Sequence, residues 1–446
     1  MRSVRRSIVA IIAAVAALAA LPAAPAAAAG CPAAGSSGPI TSCSLVSAQS
    51  LHPGVALYHL RAAVSGTSRR QDLYQVVWNV GDPHVQLHTG ILGSYDGSSI
   101  GLGQISGWAG WGAPPGLVAA LNGDFFSETW NGRGKPSGLL VRNRRVYAFG
   151  WGGPGVGYKP AGDMVMGKPR ALPTTLALPG IQATVGAWCP TTCSAKKLGA
   201  LKGDQVAVYT DTGSRITIPA GYAGYVITSN ALRTVLTGSR TVTNRQGIDR
   251  PETVVAFRFD DPAAAARTES MPIAKPSACP TGTCAAGKSV LIPAGGVLAL
   301  AALGHPAAHG LTSLAGHAAV VSITADDAGW DQVSDVMGGK PQYVRNGMAL
   351  ATRPSYVDDW QWSYRHWRPA VVRARHGQGW LIVCGASDGS GIYGSTWGRM
   401  LVQLGAKNAM GFDNNSSTEL YRPGANPVTA YGFERSIVSA TALTYL

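Results

Sequence analysis

The pattern of apolar positions is most regular near the C-terminus, where two strand-like runs flank a helical one. Residues 380–384 form a continuous, partly β-branched apolar run, which predicts a buried strand. Apolar residues at helical spacing follow, and Gly405 is suited to end a helix there. Residues 409–412 predict a second strand. Strand, helix and strand in this order indicate a βαβ unit with parallel strands.

Two aspartates follow these predicted strands. Asp388 comes after the first strand and Asp413 after the second. Functional groups gather beyond the carboxyl ends of parallel strands, so both side chains are expected at one edge of the sheet. The alternative is that each aspartate only holds a turn through hydrogen bonds to nearby backbone. Their joint placement favours a site.

The rest of the chain is rich in glycine and proline and shows few long helical patterns. Short strand-like runs begin near residue 55, and the apolar run 117–121 ends at Asn122. Turn-forming residues separate most of these runs. We therefore predict an α+β fold, loop-rich, with a mixed β-sheet, flanking helices and the C-terminal βαβ unit.

The first 29 residues have the pattern of a secretory signal peptide. Arginines at the start precede an apolar stretch and then small residues suited to cleavage. We predict that residues 30–74 form an N-terminal extension and 75–446 the main domain, with a variable central insertion at about 150–290. The protein is then secreted; lipid attachment at Cys31 is the less favoured alternative, because prolines separate this cysteine from the apolar stretch.

The formal net charge of +14 fits an exported protein that meets acidic glycans, teichoic acids or phosphate-bearing sugars. A basic surface without specificity is the alternative. We expect no nucleic-acid partner, because the sequence contains no nucleic-acid-binding motif. We also expect no membrane span, because no segment approaches transmembrane length.

Seven cysteines form three close pairs and one single residue. Export favours disulfides over a zinc site, so three local bridges are expected. The pairs are Cys31 with Cys43, Cys189 with Cys193, and Cys279 with Cys284. Cys384 lies in the apolar run 380–384 and is expected to be a buried free thiol.

An aromatic cluster precedes the C-terminal unit. It comprises Trp360, Trp362, Tyr364 and Trp367. Aromatic faces stack on sugar rings, and nearby arginines such as Arg365 and Arg368 can bind phosphate or carboxylate. The alternative is a strand whose alternating aromatic residues pack in the core.

Several blocks in sequential order, over about residues 75 to 445, resemble the phosphodiester glycosidase family. The blocks are Asn122-Gly123-Asp124-Phe125-Phe126, residues 138–146, residues 292–298, Gly338-Gly339-Lys340-Pro341 with residues 344–347, Arg368-Pro369-Ala370, Asp388-Gly389 and the region 394–405. The family's last motif is Asp-Gly-Gly-Gly-Ser-Thr, to which Asp413, Ser417 and Thr418 correspond. Here Asn414, Asn415 and Ser416 replace the three glycines, and Asp124 replaces the second glycine of the first block.

The resemblance implies a hydrolase that cleaves a glycosyl phosphodiester, a phosphodiester-linked carbohydrate or cell-wall glycan. Arg368 would stabilise the phosphate, and Asp388 or Asp413 would act as base or nucleophile at the anomeric carbon. The residues expected to bind substrate are Asn122, Gly123, Asp124, Gly338, Gly339, Ser417 and Thr418. Alternatives are a non-catalytic glycan-binding protein with this fold, favoured by the lost glycines, and an ordinary glycoside hydrolase. The sequence indicates no certain cofactor, and the metal requirement stays open; a divalent metal on Asp124, Asp388 and Asp413 is an option without compact ligand spacing to support it.

Overall fold

The computed structural model describes most of the chain beyond the N-terminal segment. The described residues are 30–32, 35–94, 100–129, 132–143, 145–148, 153–167, 169–170, 175–178, 180–189, 193–209, 215–227, 232–243, 249–259, 283–284, 287, 289–292, 297–312, 320–325, 330 and 333–446. The expected signal peptide therefore lies outside the described residues. Within them, no helix has the length and apolar character needed to cross a membrane.

Strands dominate the described part of the chain. The first half contains β1 Ile40–His52, β2 Val55–Val64, β3 Gln71–Asn79, β4 Val85–Ile91, β5 Ile100–Gly101, β6 Leu117–Asn122, β7 Phe126–Thr129, β8 Arg133–Pro136, β9 Leu140–Arg142, β10 Arg145–Ala148, β11 Gly155–Tyr158, β12 Met164–Gly167, β13 Pro169–Arg170, β14 Thr175–Leu178, β15 Ile181–Cys189, β16 Gln205–Tyr209 and β17 Arg215–Thr217. The second half contains β18 Tyr222–Ile227, β19 Leu232–Thr243, β20 Asp249–Phe259, β21 Thr283–Cys284, β22 Ser289–Leu291, β23 Val297–Ala302, β24 Val320–Ala325, β25 Asp335–Gly338, β26 Gln342–Arg345, β27 Met348–Ala349, β28 Arg368–Ala374, β29 Gln378–Gly385, β30 Ala406–Gly411, β31 Glu419–Tyr421, β32 Val428–Thr429 and β33 Ser439–Tyr445. The α-helices of the described residues are α1 Ile105–Trp111, α2 Ala195–Gly199, α3 Pro306–Thr312, α4 Asp359–Ser363 and α5 Gly394–Leu404.

The predicted α+β class is wrong, because the described chain is mostly β-structure in several antiparallel sheets. The largest helix, α5, has 11 residues. Among the described strand pairs, only β15 and β16 run parallel. A balanced set of helices flanking a mixed sheet is therefore not what the structure shows.

The C-terminal strand–helix–strand segment explains part of this error. In the eight-stranded sheet the order is β1-β2-β3-β29-β28-β30-β26-β27. Strand β28 lies between β29 and β30 and pairs antiparallel with both. Strands β29 and β30 therefore point the same way without being neighbours, and their carboxyl ends still reach the same edge. The expected adjacent parallel pair is replaced by an antiparallel sheet.

Both faces of this sheet are covered, which explains the continuous apolar run in β29. Leu381 and Val383 pack in a core shared with β4, β6 and β11. Trp380 and Ile382 pack on the other face, in the core that includes Trp397 of α5. A central strand buried on both faces needs apolar residues at every position, whichever way its neighbours run.

Strand β6 lies in a second sheet, of order β32-β31-β6-β33-β4. Strand β25 lies in a third, of order β10-β9-β25-β11-β12. A fourth sheet holds most strands between β13 and β24 and packs against α3. The ends of β6, β25 and β30 converge, and this convergence positions the candidate site.

Two of the expected disulfides are confirmed. Cys31 is bonded to Cys43, and Cys189 to Cys193. The third expected disulfide, between Cys279 and Cys284, lies outside the described residues, because Cys279 is not among them. Cys384 is a buried free thiol, and burial raises its pKa well above the usual range. Disulfides of this kind are typical of oxidising compartments.

Candidate functional site

A cavity of about 600 Å³ opens where the strands β6, β25 and β30 end. This volume lies within the range of roughly 300–1,000 Å³ that is common for small-molecule sites. Its walls combine three carboxylates, of which two are buried, with two cationic side chains and several aromatic rings. The lining residues are Asp124, Phe125, Phe126, Ser127, Ser137, Gly138, Gly153, Pro154, Gly339, Lys340, Tyr356, Asp358, Trp360, Gln361, Asp413 and Arg435.

Asp124 is the more deeply held of the two buried carboxylates. It follows β6, and its Oδ2 accepts a hydrogen bond from the backbone N–H of Gly138. Burial raises the pKa of Asp124 to about 7, and the charge of Asp413 acts in the same direction. Near neutral pH this carboxyl therefore exchanges between protonated and ionised forms, as a general acid requires.

Asp413 follows β30 and faces the same cavity. Burial raises the pKa of Asp413 to about 6, while a hydrogen bond from Ser417 and the charge of Arg435 oppose the rise. Its backbone is also fixed, because its N–H donates to Gly123 O at 3.0 Å. At neutral pH Asp413 is the more readily ionised of the two carboxyls.

Asn122 is buried behind Asp413 and joins the β6 sheet to the loop after β30. Its Nδ2 donates to Asp413 O at 2.7 Å, and its Oδ1 accepts from Glu419 N at 3.2 Å. With both ends of its amide occupied, Asn122 holds the loop and does not line the cavity. The sequence predicted that Asn122 binds substrate. In the structure its side chain instead holds the backbone of the Asp413 loop.

Arg435 brings positive charge to the rim of the cavity. Its Nη1 donates to Ser416 Oγ at 3.1 Å and to Ser417 Oγ at 3.0 Å, and Nη2 lies 2.6 Å from Glu128 Oε1. Ser417 in turn hydrogen-bonds the Asp413 carboxylate. Arg435 therefore acts on Asp413 both by charge and through the Ser417 hydroxyl.

Lys340 is the second cation of the cavity. Its Nζ lies 5.0 Å from the centre of the Phe125 ring and 3.9 Å from Asp358 Oδ2. Its charge lowers the pKa of both Asp124 and Asp413 against the effect of burial. A phosphate group entering the cavity would meet the positive charges of Lys340 and Arg435, which both line it.

Arg368 does not take the role expected for it. Its guanidinium is fully buried beneath the site, where every nitrogen donates a hydrogen bond within the protein. The acceptors are Ile392 O at 2.7 Å, Tyr343 Oη at 2.8 Å, Gln361 O at 2.9 Å and Tyr364 O at 2.9 Å. With a hydrogen bond from every guanidinium nitrogen and no exposure, Arg368 supports the segment around α4 and does not line the cavity.

Asp388 also lies away from the cavity. It sits on an exposed turn, where its Oδ1 accepts hydrogen bonds from Ser390 N at 2.9 Å and from the Ser390 hydroxyl. These bonds lower the pKa of Asp388, and Arg69 lies 3.4 Å away. The strand before Asp388 ends at the expected edge, but the side chain holds a turn, which was the alternative interpretation. The buried carboxylate that joins Asp413 in the cavity is Asp124.

The glycines of the site allow close approach of the backbone. Gly339 lines the cavity, whereas Gly338 stands behind Asp124, and a Cβ on Gly338 would lie 2.6 Å from Asp124 Oδ2. Gly123 packs on Ser439, so a Cβ there would lie 2.8 Å from Ser439 O. Thr418 is buried and donates to Trp367 O at 3.1 Å. Of these residues, only Gly339 contributes to the cavity surface.

The loop that replaces the family's three glycines keeps a glycine-like backbone at one position. Asn415 has φ +60°, in the left-handed region that asparagine tolerates better than most residues. Its side chain leads away from Asp413, because Oδ1 accepts a hydrogen bond from Tyr431 Oη. Neither Asn414 nor Asn415 lines the cavity. The substitutions therefore leave the space beside Asp413 open.

No group of three or more potential metal-binding side chains occurs among the residues that the structure describes. Asp124 and Asp413 share the cavity, but Asp388 does not join them. The three-aspartate metal site considered from sequence is therefore not assembled here.

Sequence reasoning missed Lys340, Arg435 and Gln361 as cavity residues. Lys340 directly follows the Gly338-Gly339 pair, so its position was a usable signal. Arg435 lies in a loop without any pattern, and only its contact with Ser417 reveals its role.

Comparison with known proteins supports the family resemblance over the C-terminal part of the chain. Residues 280–444 match the model of the family described as phosphodiester glycosidase. The resemblance seen in the sequence is confirmed over this segment, which contains Lys340, Asp413 and Arg435. A comparison with curated proteins finds no match.

Two solved structures share the fold at low sequence identity. A hypothetical protein from Synechocystis is 16% identical, with a TM-score of 0.54, over 88% of this chain and 62% of its own. This chain thus spans less than two thirds of that protein. A Burkholderia pseudomallei protein named as exported is 13% identical, with a TM-score of 0.54, over 93% of this chain and 99% of its own. The catalytic domain of zebrafish N-acetylglucosamine-1-phosphodiester alpha-N-acetylglucosaminidase, auto-inhibited by its pro-peptide, is 11% identical, with a TM-score of 0.34, over 91% of this chain and 88% of its own.

Proposed function

We propose that this protein is a hydrolase that cleaves the bond between an anomeric carbon and the phosphate of a glycosyl phosphodiester. The observation that carries the proposal is the pairing of Asp124 and Asp413 in one cavity with Lys340 and Arg435. The match of residues 280–444 to the phosphodiester glycosidase family supports it.

The two carboxyls are suited to different tasks. Asp413, with a pKa raised only to about 6, is ionised at neutral pH and can act at the anomeric carbon. Asp124, with a pKa of about 7, retains a proton in part of the molecules and can donate it to a phosphate oxygen. A pair of carboxyls whose environments separate their pKa values is typical of acid–base sites in glycosidases.

The cations suit the leaving group. When the C1–O bond breaks, the electron pair leaves with a phosphate monoester, and water supplies the oxygen that remains on the sugar. The leaving phosphate gains negative charge in this step, so Lys340 and Arg435 stabilise the transition state more than the ground state. Proton donation from Asp124 is needed less than for an ordinary glycoside, because the leaving group is already a stable anion.

The direct test is hydrolysis in water labelled with oxygen-18. The substrates are a panel of methyl phosphodiesters of sugar 1-phosphates, in both anomers, beside matched p-nitrophenyl glycosides. We expect cleavage of a phosphodiester with the label in the released sugar, and loss of this activity in Asp413→Asn. Label in the phosphate product would show P–O cleavage and contradict the proposal. Faster cleavage of the aryl glycosides would favour an ordinary glycoside hydrolase.

A non-catalytic glycan-binding protein is the second candidate, favoured by the replacement of three family glycines with Asn414, Asn415 and Ser416. Binding of glycans without turnover of any substrate in the panel would support it.

We further propose that the protein acts outside the cell, on glycans of the cell envelope, with residues 1–29 removed as a signal peptide. Residues 75–446 would form the hydrolase domain after the extension 30–74, with the variable insertion at about 150–290. The basic net charge and the two disulfides support this location.

A further inference from the structure

A row of aromatic rings, four of them exposed, extends from the cavity wall at Trp360. Its members, here called the aromatic ridge, are Trp360, Tyr364, His366, Tyr431 and Phe433. Trp360 and Tyr431 are each 47% exposed, and Tyr364 and Phe433 each 60%. Large aromatic side chains bury their surface where they can, so several exposed rings in one place indicate a binding surface.

Contacts within the protein make the ridge continuous. The Trp360 and His366 rings meet edge to face at 5.6 Å between centroids, and the Tyr364 ring stacks beside His366 at 6.4 Å. His366 hydrogen-bonds the Asn415 side chain. Asn415 Oδ1 also accepts from Tyr431 Oη, and the Tyr431 ring stacks with Phe433 at 6.2 Å. Asn415 therefore connects the two halves of the ridge.

The ridge begins in the candidate site itself, because Trp360 lines the cavity. The neighbouring residue Gln361 also lines it and is 3% exposed, yet its Oε1 has no hydrogen-bond partner within the described residues. A buried carbonyl oxygen without a partner is costly unless a ligand or water supplies the donor. The unpaired oxygen of Gln361 therefore lies in the cavity wall next to Trp360.

We propose that the aromatic ridge binds further sugar rings of the substrate, so that the protein acts on a phosphodiester whose alcohol side continues as an oligosaccharide. This inference rests on the proposed function. Flat rings with an exposed face stack on the apolar faces of pyranose rings, whereas the cavity holds the phosphate between Lys340 and Arg435. Asn415, which replaces a family glycine, thus aligns the two halves of the ridge beside Asp413.

The test is a binding measurement with the full-length parent protein and uncleavable probes. In each probe a CH₂ group replaces the oxygen between C1 of N-acetylglucosamine and phosphorus. The short probe is the methyl ester of this phosphonate, and the long probe is its ester with tri-N-acetylchitotriose. Isothermal titration gives the ratio of the two affinities for each protein variant.

We expect the long probe to bind the parent at least about tenfold more tightly than the short probe. In Trp360→Ala and Phe433→Ala this ratio should fall about fivefold, because a stacking face is lost. Phe433→Leu keeps apolar bulk without a flat ring and should show the same fall. Trp111→Ala removes an exposed tryptophan outside the ridge and should leave the ratio unchanged.

Equal affinities for both probes in the parent, or an unchanged ratio in the Phe433 and Trp360 variants, would overturn the ridge as a sugar-binding surface. These outcomes are independent of the labelled-water experiment. If phosphodiesters are hydrolysed but the parent binds both probes equally well, only the proposal for the ridge is contradicted. If the ratio of the two probe affinities depends on the ridge residues but no phosphodiester is hydrolysed, the proposed hydrolase activity is contradicted and the ridge remains a sugar-binding surface.

Discussion

Gly138 and Gly338 face each other so closely that a Cβ on Gly338 would lie 2.5 Å from Gly138 Cα and 2.6 Å from Asp124 Oδ2. Gly138 also donates its backbone N–H to the Asp124 carboxylate. The two glycines therefore form the wall against which the proposed acid is held. Because neither glycine has a side chain, the backbone at residues 138 and 338 can pack directly against each other and against the Asp124 carboxylate.

A methyl group at this wall should disturb the site. In Gly338→Ala the new Cβ must displace Gly138 or the Asp124 carboxylate, at a cost of about 1–3 kcal/mol in the free energy of unfolding. We expect activity on sugar phosphodiesters to fall more than tenfold. Gly110→Ala is the control, since a Cβ there meets nothing within 4 Å. Denaturant unfolding and kcat/KM of both variants test this; equal activity in the two would show that Asp124 is not held by Gly338.

The pH dependence of kcat/KM should be bell-shaped. Activity is highest with Asp413 ionised and Asp124 protonated, so it should fall below about pH 6 and above about pH 7. Asp124→Asn keeps the size of the side chain but holds no acidic proton. We expect it to lower the maximal rate and to remove the alkaline fall. A parent profile that is flat between pH 5 and pH 8 would contradict the assignment of both carboxyls.

Arg368 should matter for stability and not for the chemistry itself. Arg368→Lys keeps the charge but cannot serve the four acceptors that Arg368 now reaches. Unpaired buried carbonyls and a buried ammonium should lower the free energy of unfolding by at least about 3 kcal/mol. Thermal unfolding measures this loss. Below the unfolding transition, kcat of the folded variant should stay within about threefold of the parent, whereas Asp413→Asn should lose kcat without a comparable loss of stability.

Glu419 should make the protein less stable as the pH rises. It is buried beside the Asp413 loop, and burial, with the charge of Glu434, raises its pKa from 4.5 to about 9. The folded state then retains a proton that the unfolded chain releases. The stabilising effect of this proton is complete below about pH 4.5 and is lost progressively up to about pH 9.

Thermal unfolding across this pH range provides the measurement. The Glu419→Gln variant cannot ionise at this position, so its melting temperature should fall less steeply with pH than that of the parent. Glu434→Gln should produce a smaller change in the same direction, because it removes one of the two causes. Parallel curves of melting temperature against pH for the parent and Glu419→Gln would show that Glu419 does not titrate as described.

The sequence predicted well where one local pattern determines the structure. The apolar runs, the helix ending at Gly405 and the edge reached by Asp413 all follow from spacing and turn chemistry. The fold class could not be read in the same way, because a strand such as β29 is apolar on both faces in a parallel sheet and also in a covered antiparallel one.

It was harder to predict which of the candidate residues line the cavity and which only support it. Arg368 and Asp388 are ordinary candidates by residue type, and only the three-dimensional contacts show that their hydrogen-bonding groups are used within the protein. Asp124 was expected in the site as a binding residue, but its pKa depends on burial between Gly138 and Gly338. Such burial arises from segments about two hundred residues apart in sequence, and spacing rules do not reach that far.

Strand β33 completes the sheet that carries Asn122, since it pairs with β6 on one side and β4 on the other. Its residues 439–445 lie more than three hundred positions after β6 in the sequence (439 − 122 = 317). A ribosome or a translocation channel that releases the chain from its N-terminus must therefore deliver the residues up to β33 before the sheet around Asn122 is complete. Until then the Asp413 loop lacks this support, and we expect no hydrolysis by a partly released chain.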